Sequence, residues 1–182
     1  MERYEIIQSE LSSKPKKWLV TGAAGFIGSH IVQTLLGIDQ IVVGLDNFAT
    51  GSRENLINIE VNVGSHKTKN FFMIEGDITN IDDCRKACKG IDVVLHQAAL
   101  GSVPRSLENP LSTHKTNVDG FFNIILAAKE ENVESFIFAS SSSVYGDDKN
   151  LPKIEERIGK PLSPYALSKR INEQVAEVFS RA

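Results

Sequence analysis

Cysteine is scarce in this sequence: two residues among 182, at Cys84 and Cys88. Their i, i+4 spacing puts both on one face of a helix, with no histidine nearby in the chain. A tetrahedral zinc site draws on more N and S ligands than that. No metal is therefore expected, and buried reduced thiols in a reducing, cytoplasmic setting are. Basic charge is not in excess either. The formal net charge of −3 gives no electrostatic reason to bind nucleic acid. Long apolar runs are missing, so nothing approaches the ~20 residues that span a bilayer. The N-terminus lacks the basic-then-apolar order of a secretory signal, and no membrane partner is expected. With 41% hydrophobic and 24% charged residues, the chain has the make-up of a globular protein with one sizeable core.

What is present is an alternation of apolar runs and amphipathic segments, without an internal repeat or low-complexity tract. Residues 1–16 carry Tyr4, Ile7 and Leu11 at near-helical spacing and then a lysine-rich turn. They are expected to form a short helix packed on the surface of a domain spanning 17–182. "KWLVTG" (17–22), "QIVVGLD" (40–46), "NFFMIEGD" (70–77), "IDVVLHQAA" (91–99) and "SFIFASS" (135–141) read as five strands. Helices are expected over 26–37, 80–89, 111–132 and 163–181, the last with Ser163 as N-cap and Pro164 at the first helical position. Strands that are apolar throughout are covered on both faces, which implies a parallel sheet in a doubly wound α/β domain.

"TGAAGFIG" (21–28) lies between the first strand and the first helix of that domain. Gly22 suits the tight turn, Gly25 the approach of a pyrophosphate, and Gly28 close helix–strand packing. The helix N-terminus offers its N–H groups to the anion. Alone the pattern is weak, but a strand before it and a helix after it make it a dinucleotide signature. Asp46 closes the second strand. There a carboxylate accepts the hydroxyls of an adenosine ribose and repels a 2′-phosphate, which favours NAD over NADP; a plain turn-forming aspartate is the competing reading. Asp77, ending the third strand, is placed for the adenine edge.

"PLSPYALSKRIN" (161–172) puts Tyr165 and Lys169 four positions apart on one helix face. Spacing alone leaves open whether they are surface side chains or a device for moving a proton. A nicotinamide enzyme that oxidises an alcohol needs a base for the hydroxyl proton. Free tyrosine titrates near ~10, too high for that task, and an adjacent ammonium lowers the value. "SSSSVYG" (140–146) leaves the fifth strand at the edge where ligands sit in open α/β sheets.

In this order, TGxxGFIG, Asp46, Ser141 before the "VYG" of Tyr145, and Tyr165-xxx-Lys169 resemble the extended short-chain dehydrogenase/reductases, over essentially the whole chain. The resemblance implies a Rossmann fold and a catalytic triad of Ser141, Tyr165 and Lys169. It places Asn117 of "TNVDG" in the nicotinamide pocket. "DNFATG" (46–51), "HQAALGSVPRS" (96–106) and "GKPLSPYALSK" (159–169) are similar to the bacterial UDP-N-acetylglucosamine 4-epimerases of O-antigen and capsule synthesis. By that similarity Phe26, Ile27, Asn47, Phe48, Thr50, Gly51, Ile78, Gln97, Ala98 and Ala99 border NAD, with Tyr165 and Lys169. Ser102, Ser142 and Ser143 would contact the sugar; backbone-bonding hydroxyls at a strand end are the competing reading for the serines. Related dehydratases and decarboxylases carry a glutamate where Ser143 stands, so an epimerase, which needs no such acid, is expected. Val144 departs from the threonine of close relatives.

The family runs well past this length. Its second half supplies a sixth strand, a further nicotinamide contact and most of the uridine pocket, and its members pair through a two-helix face. That face here corresponds to 111–131 and 163–181 and makes a homodimer the expectation. The 182-residue piece is expected to be poorly active and to expose an apolar sheet edge. A truncated, non-catalytic NAD-binding domain, or another NAD-dependent sugar-nucleotide epimerase or reductase, are the alternative functions.

Overall fold

The computed structural model describes residues 3–181; Met1, Glu2 and Ala182 of the expected N-terminal segment and domain lie outside the described residues. Five parallel strands, β1 (Lys17–Thr21), β2 (Ile41–Asp46), β3 (Phe71–Glu75), β4 (Val93–His96) and β5 (Ser135–Phe138), stand in the order 3-2-1-4-5. Leu19 pairs with Val43 on one side and Val94 on the other, so β1 is the centre of the sheet. The order reverses between β1 and β4, and the crevice at their C-terminal ends is where open α/β sheets take ligands.

Alternation along β1 explains the two cores. Leu19 points to one face with Leu45, Cys84, Cys88, Val94, Ile124 and Ala127. Val20 points to the other with Val32, Leu36, Val42 and Ile59. Helices α5 (Ile81–Cys88) and α8 (Gly120–Glu130) cover the first face, and α2 (Phe26–Gly37) and α3 (Arg53–Val63) the second. Both cysteines are buried and free, and burial pushes each thiol up to about 12, far from the thiolate. A third apolar cluster, Phe121, Ile125 and Val175, seats α9 (Pro164–Arg181) against α8 and β5. Among the described residues no helix is long and apolar enough to cross a membrane.

Several elements differ from the sequence reading. Helix α3, and the single turn α4 (Ser65–Thr68) after it, fill a stretch without an expected element. Ser52 caps α3 by accepting from the Glu54 N–H at 3.2 Å. Leu56, Ile59 and Val63 face the core, but Ile57 and Val61 stand exposed and blur the apolar stripe. The segment 103–119 is also more divided than a single helix beginning at 111. It comprises α6 (Val103–Glu108), α7 (Pro110–His114) and a π-helical turn, Lys115–Asp119, leading into α8. The N-terminal helix α1 (Arg3–Ser13) is almost wholly exposed. It is held through the buried Gln40, whose amide donates to the Leu11 carbonyl at 2.9 Å and accepts from the Lys16 N–H at 3.0 Å.

The Phe121 ring is fully buried, edge-on to His96, Phe136 and Phe138. Phe121→Ala should therefore cost about 3–5 kcal/mol of stability, measured by urea unfolding. A loss under about 1 kcal/mol would mean that the cluster collapses around the cavity.

Candidate active site

The site is built from the loops that leave the C-terminal ends of the strands. At the end of β1 the backbone turns at Gly22, with φ +70°, and the Gly25 N–H closes the turn on the Gly22 carbonyl at 3.0 Å. A Cβ on Gly28 would lie 2.0 Å from that same carbonyl oxygen, so only glycine lets α2 start so close to the strand. No side chain caps α2, and its first N–H groups are left for an anion.

Asp46 ties this loop to the next one. Its carboxylate accepts from the Ala24 N–H at 3.0 Å and from the Phe48 N–H at 2.7 Å, and the residue is 8% exposed. Asp77 accepts from the Thr79 N–H at 2.8 Å and the Asn47 amide at 2.9 Å. Burial pushes its carboxyl up, but those hydrogen bonds and the Lys115 charge outweigh it and hold the group below its ordinary value. On the other side of β1, the Thr21 hydroxyl is hydrogen-bonded to His96 Nδ1 at 2.7 Å and accepts from the Ala98 N–H at 3.1 Å. This link fixes the loop that starts at Gln97.

Together these loops enclose a cavity of about 580 Å³. Gly22, Gly25, Phe26, Ile27, Gly28, Asp46, Asn47, Thr50, Asp77, Ile78, Gln97, Ala98 and Ala99 line it, as do Leu45, Ala49, Gly76, Thr79, Leu100, Ser112, Lys115 and Thr116. The first group is legible in the sequence as cofactor residues. Leu45, Gly76 and Thr79 are their strand-end neighbours, whereas Ser112 reaches the wall from α7, and Lys115 and Thr116 from the π-turn, ahead of the Asn117 that the motif singles out. Phe48 and Gly51 stand behind the wall. Phe48 holds φ +56° with its ring 4.1 Å from the Arg53 guanidinium, and Gly51 packs on Ala24, where a Cβ would come within 2.8 Å of the Ala24 Cβ.

Asn117 also stands behind the wall. It is 2% exposed, accepts from the Leu100 N–H at 2.8 Å, and donates to the Leu100 carbonyl and the Ser168 hydroxyl, each at 3.1 Å. Its amide clamps the cavity loop to α9. Ser168 in turn donates to the Tyr165 carbonyl at 2.8 Å.

Tyr165 and Lys169 lie on α9, beyond the residues lining the cavity. Ser163 caps that helix through the Ala166 N–H at 3.1 Å. Tyr165 is half-buried in the first turn. Lys169 is 4% exposed and donates to the carbonyl of Ala139, just past β5, at 2.8 Å. Burial pushes its ammonium down to about 8, so it is charged at neutral pH. Ser141 begins the 3-10 turn Ser142–Tyr145, which packs on α9. The Ser141 oxygen accepts from the Ser143 N–H at 3.2 Å and the Ser143 hydroxyl at 2.9 Å. Ser142 is exposed. Ser102, exposed and with φ +105°, caps α6 by accepting from the Arg105 N–H at 3.3 Å.

A glycine turn at a helix N-terminus, a buried carboxylate ending β2 and a cavity at the sheet's switch point define a dinucleotide-binding α/β domain. Residues 18–182 match the NAD dependent epimerase/dehydratase family, and the chain belongs to that family, whose cofactor is NAD. It is 39% identical over 165 residues to a putative UDP-glucose 4-epimerase of Methanocaldococcus jannaschii, covering 90% of this chain and 50% of that protein. The UDP-N-acetylglucosamine 4-epimerase of Methanobrevibacter ruminantium M1, solved with UDP-N-acetylmuramic acid, superposes with a TM-score of 0.84 at 39% identity, covering 93% of this chain and 52% of that one. The Thermus thermophilus UDP-glucose 4-epimerase, solved with NAD, gives 0.79 at 35% identity over 91% and 51% of the two chains. The chain thus spans about half the length of the relatives it matches.

The Gly22–Gly28 clearance, which a Cβ would fill, and the uncapped helix N-terminus fit a pyrophosphate, and Asp46 stands at the end of β2 with the cavity before it. The chain's own residues therefore fit NAD.

His96 supplies a pH test of this scaffold. Burial, and secondarily the Lys169 charge, push its imidazole down to about 3 from 6.5. As pH falls through 6.5 the unfolded chain takes up a proton that the folded chain refuses, so stability is complete above 6.5 and falls towards pH 3. The slope from this group is about 1.4 kcal/mol per pH unit. His96→Gln should flatten the urea-unfolding profile between these limits by that amount, and an unchanged slope would show His96 to be protonated in the fold.

Proposed function

We propose that this chain is the NAD-binding, proton-transferring part of a UDP-N-acetylglucosamine 4-epimerase that serves surface polysaccharide synthesis. One observation carries the catalytic reading: the buried Lys169 ammonium, held on the Ala139 carbonyl, four residues from Tyr165 on the same helix. A lysine ammonium on the helix face that carries a tyrosine is the arrangement a proton-moving phenol needs. Ser141, leaving β5 beside that helix, supplies the hydroxyl that holds the reacting sugar oxygen.

In the mechanism, bound NAD supplies the hydride acceptor. Tyr165 takes the proton of the C4 hydroxyl as hydride leaves C4, Ser141 steadies the oxygen, and Lys169 holds the phenolate. With the 4-keto sugar turned to present its other face to the cofactor, which would supply the returning hydride, Tyr165 gives the proton back to the C4 oxygen. Ser142, Ser143 and Ser102 lie on the loops that would meet the sugar. The absence of a carboxylate at Ser143 favours inversion over elimination of water.

The N-acetylated substrate is supported by the Methanobrevibacter structure, while UDP-glucose 4-epimerases are similar to the same degree. The polysaccharide role follows from the resemblance of "HQAALGSVPRS" and "GKPLSPYALSK" to the epimerases of O-antigen and capsule synthesis. The protein is read as cytoplasmic, and as a homodimer formed through α8 and α9, whose Phe122, Leu126, Leu167 and Val178 stand exposed.

Incubation with UDP-N-acetylglucosamine, with C4 stereochemistry read by NMR, tests the activity. Tyr165→Phe should keep NAD binding and lose at least ~10²-fold in inversion rate. Inversion at the wild-type rate in that variant would remove Tyr165 from the mechanism.

A further inference from the structure

Three charged side chains line the cavity: Asp46 and Asp77 from the strand ends, and Lys115 from the helical wall. Lys115 opens the π-turn Lys115–Asp119, and such turns redirect side chains around a helix axis. Here the turn sends Asn117 and Val118 into the interior while Lys115 and Thr116 line the cavity, with Ser112 a turn earlier. Lys115 is exposed, so its long side chain is free to reach a ligand in the cavity.

The electrostatics give that cation a task. Two carboxylates and one ammonium leave the cavity wall net negative, yet the ligand it fits carries a diphosphate. The N-terminus of α2 contributes only a partial positive charge, and its field fades within a turn. The Lys115 charge already acts across the cavity on Asp77, where it favours the ionised carboxylate. An ammonium that acts on the adenine-side carboxylate lines the same cavity as the start of α2, where the phosphates of the same nucleotide would lie.

We propose that Lys115 is a binding residue for the diphosphate of the adenosine half of the dinucleotide, offsetting the repulsion of Asp46 and Asp77. This rests on the dinucleotide reading of the cavity. Lys115 acts by charge rather than by shape, so it contributes affinity for the anion and not for the base.

Calorimetric titration of the wild-type protein, Lys115→Met and Lys115→Arg with NAD, ADP and adenosine, over a series of salt concentrations, tests it. Lys115→Met should bind NAD and ADP about tenfold more weakly, equivalent to ~1.4 kcal/mol. Its salt dependence should be shallower than that of the wild type. Adenosine affinity should stay within about twofold, and Lys115→Arg within about threefold of wild type, as expected for an interaction of charge. Because the side chain is exposed, thermal unfolding of Lys115→Met should match the wild type. Unchanged affinity of Lys115→Met for NAD and ADP overturns the proposal, as does an equal loss for adenosine. Failure of the wild-type protein to bind NAD would overturn the dinucleotide reading itself, a result independent of the variants.

Discussion

The approach of one backbone to another governs this molecule. Helix α2 begins so near the end of β1 that a Cβ on Gly28 would sit 2.0 Å from the Gly22 carbonyl oxygen. That closeness places the uncapped first turn of α2 over the C-terminal edge of the sheet. It also leaves Ala24 within reach of Asp46, whose carboxylate joins the loops after β1 and β2. On the other side of β1, Thr21 holds Ala98 through the same strand end. The cavity is therefore the outcome of three loops whose backbone N–H groups are held by two strand-end side chains, Asp46 on β2 and Thr21 on β1.

Burial then sorts the titratable groups into different states. His96 and Lys169 are both enclosed, and the Lys169 charge disfavours a second one on the imidazole. The imidazole, hydrogen-bonded to Thr21, stays neutral well into the acid range, while Lys169 keeps its proton below about 8, with the Ala139 carbonyl accepting from it. Of the two, Lys169 alone is left charged, on the helix that carries Tyr165. Had both been charged, their burial without a counter-ion would cost several kcal/mol per ion, on the order of the usual desolvation penalty.

Much of this is legible in the sequence. Continuous apolar runs mark the strands, because both sheet faces are covered, and the glycine spacing with Asp46 marks the cofactor loop. Ser163 announces the start of α9. Other features leave no local trace. Helix α3 shows apolar residues all around its axis, so its buried Leu56–Ile59 face does not stand out. The π-turn depends on how α8 and α9 pack and has no sequence period of its own. The resemblance expects Asn117 in the nicotinamide pocket; in the structure it is buried against Leu100 of the cavity wall, while Lys115, unremarkable in the sequence, lines the cavity.

The position of Asn117 bears on how the two halves of the site work together. The cavity and the Tyr165–Lys169 helix share no lining residue, so something must keep them in register. Asn117 bonds both backbone groups of Leu100, at the cavity wall, and also Ser168, which bonds the Tyr165 carbonyl. A chain of hydrogen bonds thus runs from the wall of the nucleotide cavity to the backbone of the residue proposed to move the proton. Each partner is buried or half-buried, where a lost bond exposes an unsatisfied group and costs about 1–3 kcal/mol. Transfer of hydride needs reacting atoms about 3–3.5 Å apart, a tolerance tighter than loose helix packing provides. The Asn117 amide ties the two halves together, and this accounts for a polar side chain whose hydrogen bonds run to Leu100 and Ser168.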